Sequence, residues 1–212
     1  MRHAQTVWNA SGKIQGQADP ELSEAGRAEC QAVADRLTAV SIQAICSSDL
    51  ARARETAEAI ATRHPSLEVR LDSGLREVDL GDWEGADRAS LKRGWPELYA
   101  AWRAQPSWDL VPGGEGSAHF KARVMDAFGR AAASVGPDET VAVVTHIGVI
   151  RTLLSTAVGA DAGDLRWPWA VANTGITVLE GPPDVAAWST PAMQIEAIND
   201  SSHVARTTKA GE

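Results

Sequence analysis

Cysteine is scarce in this sequence: of 212 residues only Cys30 and Cys46 carry a thiol. Two thiols cannot build a metal cluster. Cys30 falls in a helical pattern and Cys46 in a strand pattern, so both read as buried side chains in a reducing compartment. Long apolar runs are missing as well. No 18 consecutive apolar residues occur, no basic leader precedes an apolar stretch, and no lipidation motif is present, so the expected location is cytoplasmic, without a membrane partner. An excess of cations is also lacking. Lys and Arg number 20 against 28 Asp and Glu, a net charge of -8, which argues against a nucleic-acid partner because duplex binders carry a basic face. A small anionic ligand stays compatible, since a few buried arginines make a positive pocket in an acidic protein.

What the chain does have is the material of one globular domain: 44% hydrophobic and 23% charged residues over a length that buries a sizeable core. Strand and helix patterns alternate along it. Ser23 reads as an N-cap, with Ala25, Ala28, Ala32, Val33, Leu37 and Val40 on one helical face. Ile42 to Ser47 reads as a buried strand feeding a second helix, capped by Ser48 or Asp49 and stopping before Pro65. Glu68 to Asp72 alternates as a strand. The stretch 83–112 is Trp-rich, and Pro96, Pro106 and Pro112 break any long helix, so it reads as an irregular inserted cap. Glu115 to Val135 is amphipathic and helical, Thr140 to Thr145 is the clearest buried strand, and Ile147 to Val158 begins another helix. Gly175 to Glu180 and Met193 to Asn199 complete the strands. The expected fold is therefore α/β, a three-layer α/β/α sandwich with a mainly parallel central sheet and a small Trp-rich cap. Residues 1–200 are expected to form a single catalytic domain, and 201–212 a polar, frayed tail.

Chemistry-bearing residues stand at strand ends in a fixed order. Arg2-His3 opens the chain, Arg52 lies in the first turns of a helix, Glu77 follows Leu75-Arg76, and His146 follows the Thr140–Thr145 strand directly. An imidazole can accept a phosphoryl group from an ester and pass it to water, given guanidinium groups and a second imidazole to hold the charge. Arg52 near a helix N-terminus adds backbone donors and a dipole that favour an anion. Arg54, two residues on, reads as solvated. Glu77 sits among Val78, Leu80, Gly81, Trp83 and Gly85, an apolar setting that suits a proton donor to a leaving oxygen. Each piece alone has an ordinary structural reading; the ordered set points to phosphoryl transfer.

These motifs resemble those of the histidine phosphatase superfamily, also called phosphoglycerate mutase-like, over nearly the whole chain. Arg2-His3-Ala4-Gln5-Thr6 with Trp8-Asn9 is similar to the family's Arg-His-Gly opening, and Gln15-Gly16 with Leu22-Ser23-Glu24-Ala25-Gly26 to the family's next segment. Ser47-Ser48-Asp49-Leu50 with Arg52-Ala53 and Thr56-Ala57, Leu75-Arg76-Glu77 with Gly81-Asp82-Trp83-Glu84-Gly85, Pro112-Gly113-Gly114-Glu115 and Val144-Thr145-His146-Ile147-Gly148 supply the later blocks. The resemblance implies that His3 becomes phosphohistidine. It implies that Arg2, Arg52 and His146 hold the phosphate with help from Asn9, Gln15 and Gly16. Glu77 would protonate the leaving alcohol and then activate water. It implies neither metal nor cofactor, and a small phosphorylated metabolite as the partner. Ala4 departs from the family's glycine; if that position needs a positive φ, its Cβ would cause a modest loss.

Within the family the phosphatase branch is favoured over the mutases, because the 85–112 segment is short and the tail lacks an apolar closing patch. The pattern around Trp108 and Pro112–Glu115 is similar to that of actinobacterial enzymes of the glucosyl-3-phosphoglycerate phosphatase type. Trp83, Trp95, Trp102, Trp108, Trp167 and Trp169 would pack the cap or line a sugar-stacking rim. A mutase-type phosphotransferase and a catalytically impaired phosphate-ester binder are the alternatives. The latter is motivated by Ala4 and by the N-terminus, where Met1 and Arg2 are too few for the strand expected before His3; a start upstream of Met1 is the favoured explanation. The oligomeric state is left open by the sequence and is compatible with a homodimer.

Overall fold

Strand β1 (Ala44–Ser47) is the middle of a parallel sheet, paired with β2 (Val69–Leu71) on one side and β3 (Val141–Val144) on the other. The computed structural model describes residues 1–160, 171–181 and 193–204. All four residues of β1 are buried, as expected of a parallel strand covered on both faces. Side-chain alternation then sorts the helices. Ile45 packs with Val33 and Leu37 of α2 (Glu24–Leu37), with Ala53, Ala57 and Ile60 of α3 (Ala51–Ala61), and with Val144. Its neighbour Cys46 packs on the opposite face with Leu75 and with Ala127 and Ala131 of α6 (Ser117–Ala132). The result is a parallel central sheet flanked by helices, the α/β sandwich predicted. Both cysteines are free, and burial pushes both thiols up.

The opening residues take a place beside β3. Thr145 N–H donates to Met1 O at 2.9 Å and His3 N–H to Thr145 O at 2.8 Å, a parallel bridge that extends the sheet beyond β3. On the far side Arg2 N–H donates to Gly175 O at 3.2 Å and Thr174 N–H to His3 O at 3.3 Å. Met1–His3 thus joins the parallel sheet to the start of β4 (Ile176–Glu180), which pairs antiparallel with β5 (Gln194–Asp200). The Met1 ammonium donates to Val143 O at 2.7 Å, and burial pushes its pKa down to about 5. Both neighbours supply backbone partners to these residues.

Other local expectations need correction. The N-cap of α3 is Leu50, and neither Ser48 nor Asp49 caps it. The Ala51 N–H is taken by Asp19 Oδ2 at 2.7 Å, a carboxylate brought in by tertiary structure. The stretch 83–112 is not irregular: it contains α4 (Arg88–Gly94) and α5 (Pro96–Ala104). Pro96 begins α5 rather than breaking it, since a first-turn residue needs no N–H partner. A short helix α1 (Val7–Ser11), not predicted, starts at Thr6, whose hydroxyl accepts from Asn9 N–H while the Asn9 side chain accepts from Thr6 N–H. Trp83 is buried and meets Tyr99 and Trp102 edge-on, with ring centroids 6.5 and 5.9 Å away, so most of the cap tryptophans pack against one another. Trp167 and Trp169 lie outside the described residues. Among the described residues no helix is long and apolar enough to cross a membrane. At the C-terminal end, His203 Nε2 lies 3.1 Å from Thr174 Oγ1, which ties down the described start of the tail.

Candidate active site

Helix α7 (Ile147–Ala157) follows β3 through Thr145 and His146, and its first turn opens onto a cavity of about 190 Å³. The cavity lies beyond the C-terminal ends of β1 and β3, where open α/β sheets present their ligands. Of the residues expected at a site, Arg2, His3, Asn9, Gln15, Gly16, Arg52 and Glu77 line it. His146 does not line it. It is wholly buried beside His3, with ring centroids 5.1 Å apart and planes tilted by 55°. Residues separated by more than a hundred positions thus converge on one hollow.

Two polar contacts set the imidazoles. His3 Nδ1 lies 2.7 Å from the Ala4 carbonyl. A carbonyl only accepts, so Nδ1 carries the proton and Nε2 keeps its lone pair. Burial, then the charges of Arg52 and Arg2, hold His3 well below the usual imidazole range, so the ring is neutral at physiological pH. His146 is depressed in the same way, by burial first and then by Arg52 and His3. Its Nε2 lies 2.9 Å from Ser48 Oγ, while its Nδ1 is buried without a partner among the described residues. That contact explains why Ser48 is not the helix cap: its hydroxyl serves His146.

The guanidinium groups are held from behind. Arg52 is 1% exposed; Nη2 donates to Gly16 O and Nη1 to Ala18 O, both at 2.7 Å, and Asp19 Oδ1 is 3.4 Å from Nη1. Arg2 Nη1 donates to Val171 O at 2.6 Å, and burial lowers its pKa to about 10, leaving it charged at neutral pH. Each keeps a buried Nε with no partner among the described residues. Orphaned buried donors need an acceptor, and an anion in the cavity is one. Arg54, by contrast, is exposed and pairs with Glu58 along its own helix.

Glu77 forms the opposite wall. Its Oε1 accepts from Val78 N–H at 2.9 Å and its Oε2 from Gly148 N–H at 3.1 Å. The contact with Gly148 ties the carboxyl to the first turn of α7. Arg123 braces the same segment, donating to Gly74 O, Arg76 O and Glu77 O at 3.0, 2.8 and 2.7 Å and pairing with Glu115. Ala4 is fully buried among Leu22, Cys30 and Ala59. The described non-glycine residues with positive φ are Asp138, Thr174 and Asn199, so the strain foreseen for Ala4 does not arise. Its methyl has been absorbed into the core.

Sequence reasoning missed Arg151 and assigned no ligand role to Lys13, yet both line the cavity, as does Trp108. The signal for Arg151 was present: it lies one helical turn beyond Gly148, on the face that carries Ile147 and Gly148. Asn173 was also missed; its Nδ2 donates to His3 O at 3.0 Å and to Asn9 Oδ1 at 3.2 Å.

A neutral imidazole, a second imidazole and paired guanidiniums facing a carboxyl form the equipment of a phosphate-monoester hydrolase. Residues 1–191 match the histidine phosphatase superfamily (branch 1). The chain is 41% identical over 161 residues to Phosphoglycerate mutase-like protein 4 of Arabidopsis thaliana, covering 74% of this chain and 69% of that protein. It is 35% identical over 190 residues to the glucosyl-3-phosphoglycerate phosphatase of Mycobacterium tuberculosis, covering 85% and 83%. The solved structure of a mycobacterial glucosyl-3-phosphoglycerate phosphatase with VO3 superposes with a TM-score of 0.80 at 33% identity, covering 93% of this chain and 96% of that one. The protein belongs to the histidine phosphatase superfamily and is a phosphatase, a hydrolase of phosphate monoesters.

Proposed function

We propose that the protein hydrolyses a small phosphorylated metabolite, without a metal, through a phosphohistidine on His3. His3 Nε2 attacks phosphorus in line with the ester oxygen, and the P–O bond breaks. Glu77 passes a proton to the departing alkoxide. The resulting carboxylate takes a proton from water, whose oxygen attacks phosphorus; the P–N bond breaks and its electron pair returns to Nε2. Arg2 and Arg52 stabilise the charge on the transferred group, where in-line transfer needs positioning and fixed cations more than covalent help, and His146 supports the His3 ring from its buried side. Asn9, Gln15 and the Gly16 turn complete the phosphate pocket.

The observation that carries this reading is the His3 Nδ1 contact with the Ala4 carbonyl at 2.7 Å. It directs the unprotonated nitrogen of a neutral ring toward substrate beneath two guanidiniums. Hydrolysis is favoured over transfer to a second alcohol because the cap consists of two short helices, α4 and α5. A mutase must shield its phosphohistidine from water.

Release of inorganic phosphate from p-nitrophenyl phosphate in EDTA tests the reading. Turnover that persists in chelator and disappears in His3→Ala supports it. Loss of activity on chelation would refute metal independence, and dependence on a bisphosphorylated primer would favour a mutase.

A further inference from the structure

The turn 171–175, which leads into β4, reaches the site through bonds to its opening residues. Val171 O accepts from Arg2 Nη1 at 2.6 Å, and Asn173 Nδ2 donates to His3 O at 3.0 Å and to Asn9 Oδ1 at 3.2 Å. Thr174 N–H donates to His3 O at 3.3 Å, and Gly175 O accepts from Arg2 N–H at 3.2 Å. One short turn thus sets the Arg2 guanidinium, the backbone of the nucleophile and the Asn9 carboxamide together.

Two side chains at the far end of β5 grip this turn from its other side. Asn199 Oδ1 accepts from Ala172 N–H at 2.7 Å, and a Cβ on Gly175 would lie 2.3 Å from the same oxygen. The second grip is His203, whose Nε2 lies 3.1 Å from Thr174 Oγ1. The hydroxyl fixes the direction of that bond. Thr174 Oγ1 gives its one proton to Asn173 O at 2.8 Å, so it accepts from His203 Nε2–H. Thr174 is wholly buried with φ at 54°, and Asn199 has φ at 56°. Asparagine adopts this left-handed region readily; a β-branched threonine does so only where its surroundings hold it there. Among the described residues, His203 is the partner that the Thr174 hydroxyl finds outside the turn.

We infer that His203 is a positioning residue for phosphoryl transfer: by donating to Thr174 it holds the 171–175 turn in the conformation that places Arg2 and His3. His203 does not line the cavity, so its influence on turnover passes through the backbone. Released from that bond, Thr174 relaxes toward negative φ. Its N–H then turns away from His3 O, and Val171 O, against which the Arg2 guanidinium is set, shifts with it. The inference rests on the phosphatase reading above and adds to it a residue outside the pocket.

The test follows p-nitrophenyl phosphate turnover and its inhibition by inorganic phosphate, at a temperature where each variant is folded. His203→Ala is expected to lower kcat roughly 10- to 100-fold, the range for a misplacement on the order of 1 Å at reacting groups. It is also expected to weaken phosphate inhibition several-fold. His203→Gln, whose amide can donate to Thr174 from a similar position, is expected to recover most of both. A role in folding alone predicts a lower melting temperature in His203→Ala with kcat and phosphate inhibition unchanged, and that result overturns the inference. So does a His203→Gln variant that recovers neither. Thr174→Val removes the acceptor at nearly constant shape and is expected to reproduce the loss. Adding His203→Ala to it should cost little more, since both changes break one bond; additive losses overturn the inference. If His203→Ala does not fold, Thr174→Val alone decides, and wild-type kcat and inhibition there count against it. A wild type that turns over no ester would defeat the phosphatase reading by itself. Calorimetric titration with inorganic phosphate then reads the clamp instead. Weaker binding in His203→Ala that His203→Gln recovers sustains the inference; equal or absent binding in wild type and His203→Ala ends it.

Discussion

Gly148 and Glu77 share a space that only one of them can fill: a Cβ on Gly148 would lie 2.2 Å from Glu77 Oε1. The glycine at the start of α7 is therefore required by the carboxyl opposite it. Backbone freedom is not the reason, since Gly148 is not among the glycines with positive φ. Its missing side chain lets the carboxyl approach and its N–H holds Oε2 at 3.1 Å.

Gly148→Ala is accordingly expected to push the Glu77 carboxyl aside while leaving the fold intact, because alanine suits a helix better than glycine. A displacement on the order of 1 Å at a catalytic group lowers turnover roughly 100-fold. Steady-state kinetics should show the loss in kcat, with an unchanged melting temperature. A variant with normal kcat would show that Glu77 is not held from this side.

The two imidazoles make stability depend on pH. His3 and His146 sit well below 6.5 in the folded protein and titrate near 6.5 when unfolded. Below that pH the unfolded chain binds more protons, so stability that is fully present above 6.5 is lost as pH falls. Each group contributes a slope of about 1.4 kcal/mol per pH unit over its window. Urea unfolding over this range should show a steep decline, and His3→Asn should remove the His3 share. The acid limb of kcat/KM should likewise lie below the ordinary histidine range.

How much of this was legible in the sequence differs from residue to residue. His146 was legible because a buried strand ends at it, and Arg52 because its helix follows β1. Ser48 was misread as a cap because its hydroxyl is claimed by a histidine 98 positions away. The strand before His3 could not be counted from Met1 and Arg2 alone, since its partners come from Thr145 and Gly175. Ala4 looked like a defect because only the fold shows that its φ is ordinary and its methyl is packed. Local signals carry element type; which distant group satisfies which donor is decided by packing.

Glu84 offers a test of support at a distance. Its carboxylate accepts from Gln17, Ala18 and Leu80 N–H at 2.6, 2.7 and 3.1 Å. That carboxylate fixes the turn whose Gly16 and Ala18 carbonyls hold Arg52, and a Cβ on Gly16 would lie 2.0 Å from Glu84 Oε1. Glu84→Ala is expected to destabilise the protein by about 2–4 kcal/mol through the three freed amides. It should also weaken inhibition by inorganic phosphate, because Arg52 is no longer braced. Destabilisation with unchanged phosphate inhibition would mean that Arg52 is held by Asp19 and its own burial.

Arg123 sets the last prediction, because one side chain closes three backbone carbonyls of the segment that carries Glu77. Its guanidinium also pairs with Glu115 at side-chain exposures of 17% and 11%, so removal strands a sheltered carboxylate along with the carbonyls. Arg123→Met is expected to lose about 3–5 kcal/mol, the range for breaking a sheltered pair from one side. Arg123→Lys should recover little, since an ammonium cannot span Gly74, Arg76 and Glu77 together as a planar fork does. The double variant Arg123→Met with Glu115→Leu removes the stranded charge and should regain part of the stability. It should not regain kcat, because the Glu77 carbonyl would keep only the longer 3.4 Å bond from Gln17 Nε2 in place of the 2.7 Å bond from Arg123 Nη2. Recovery of both together would show that Arg123 serves the fold and leaves the position of Glu77 to Gly148 and Val78.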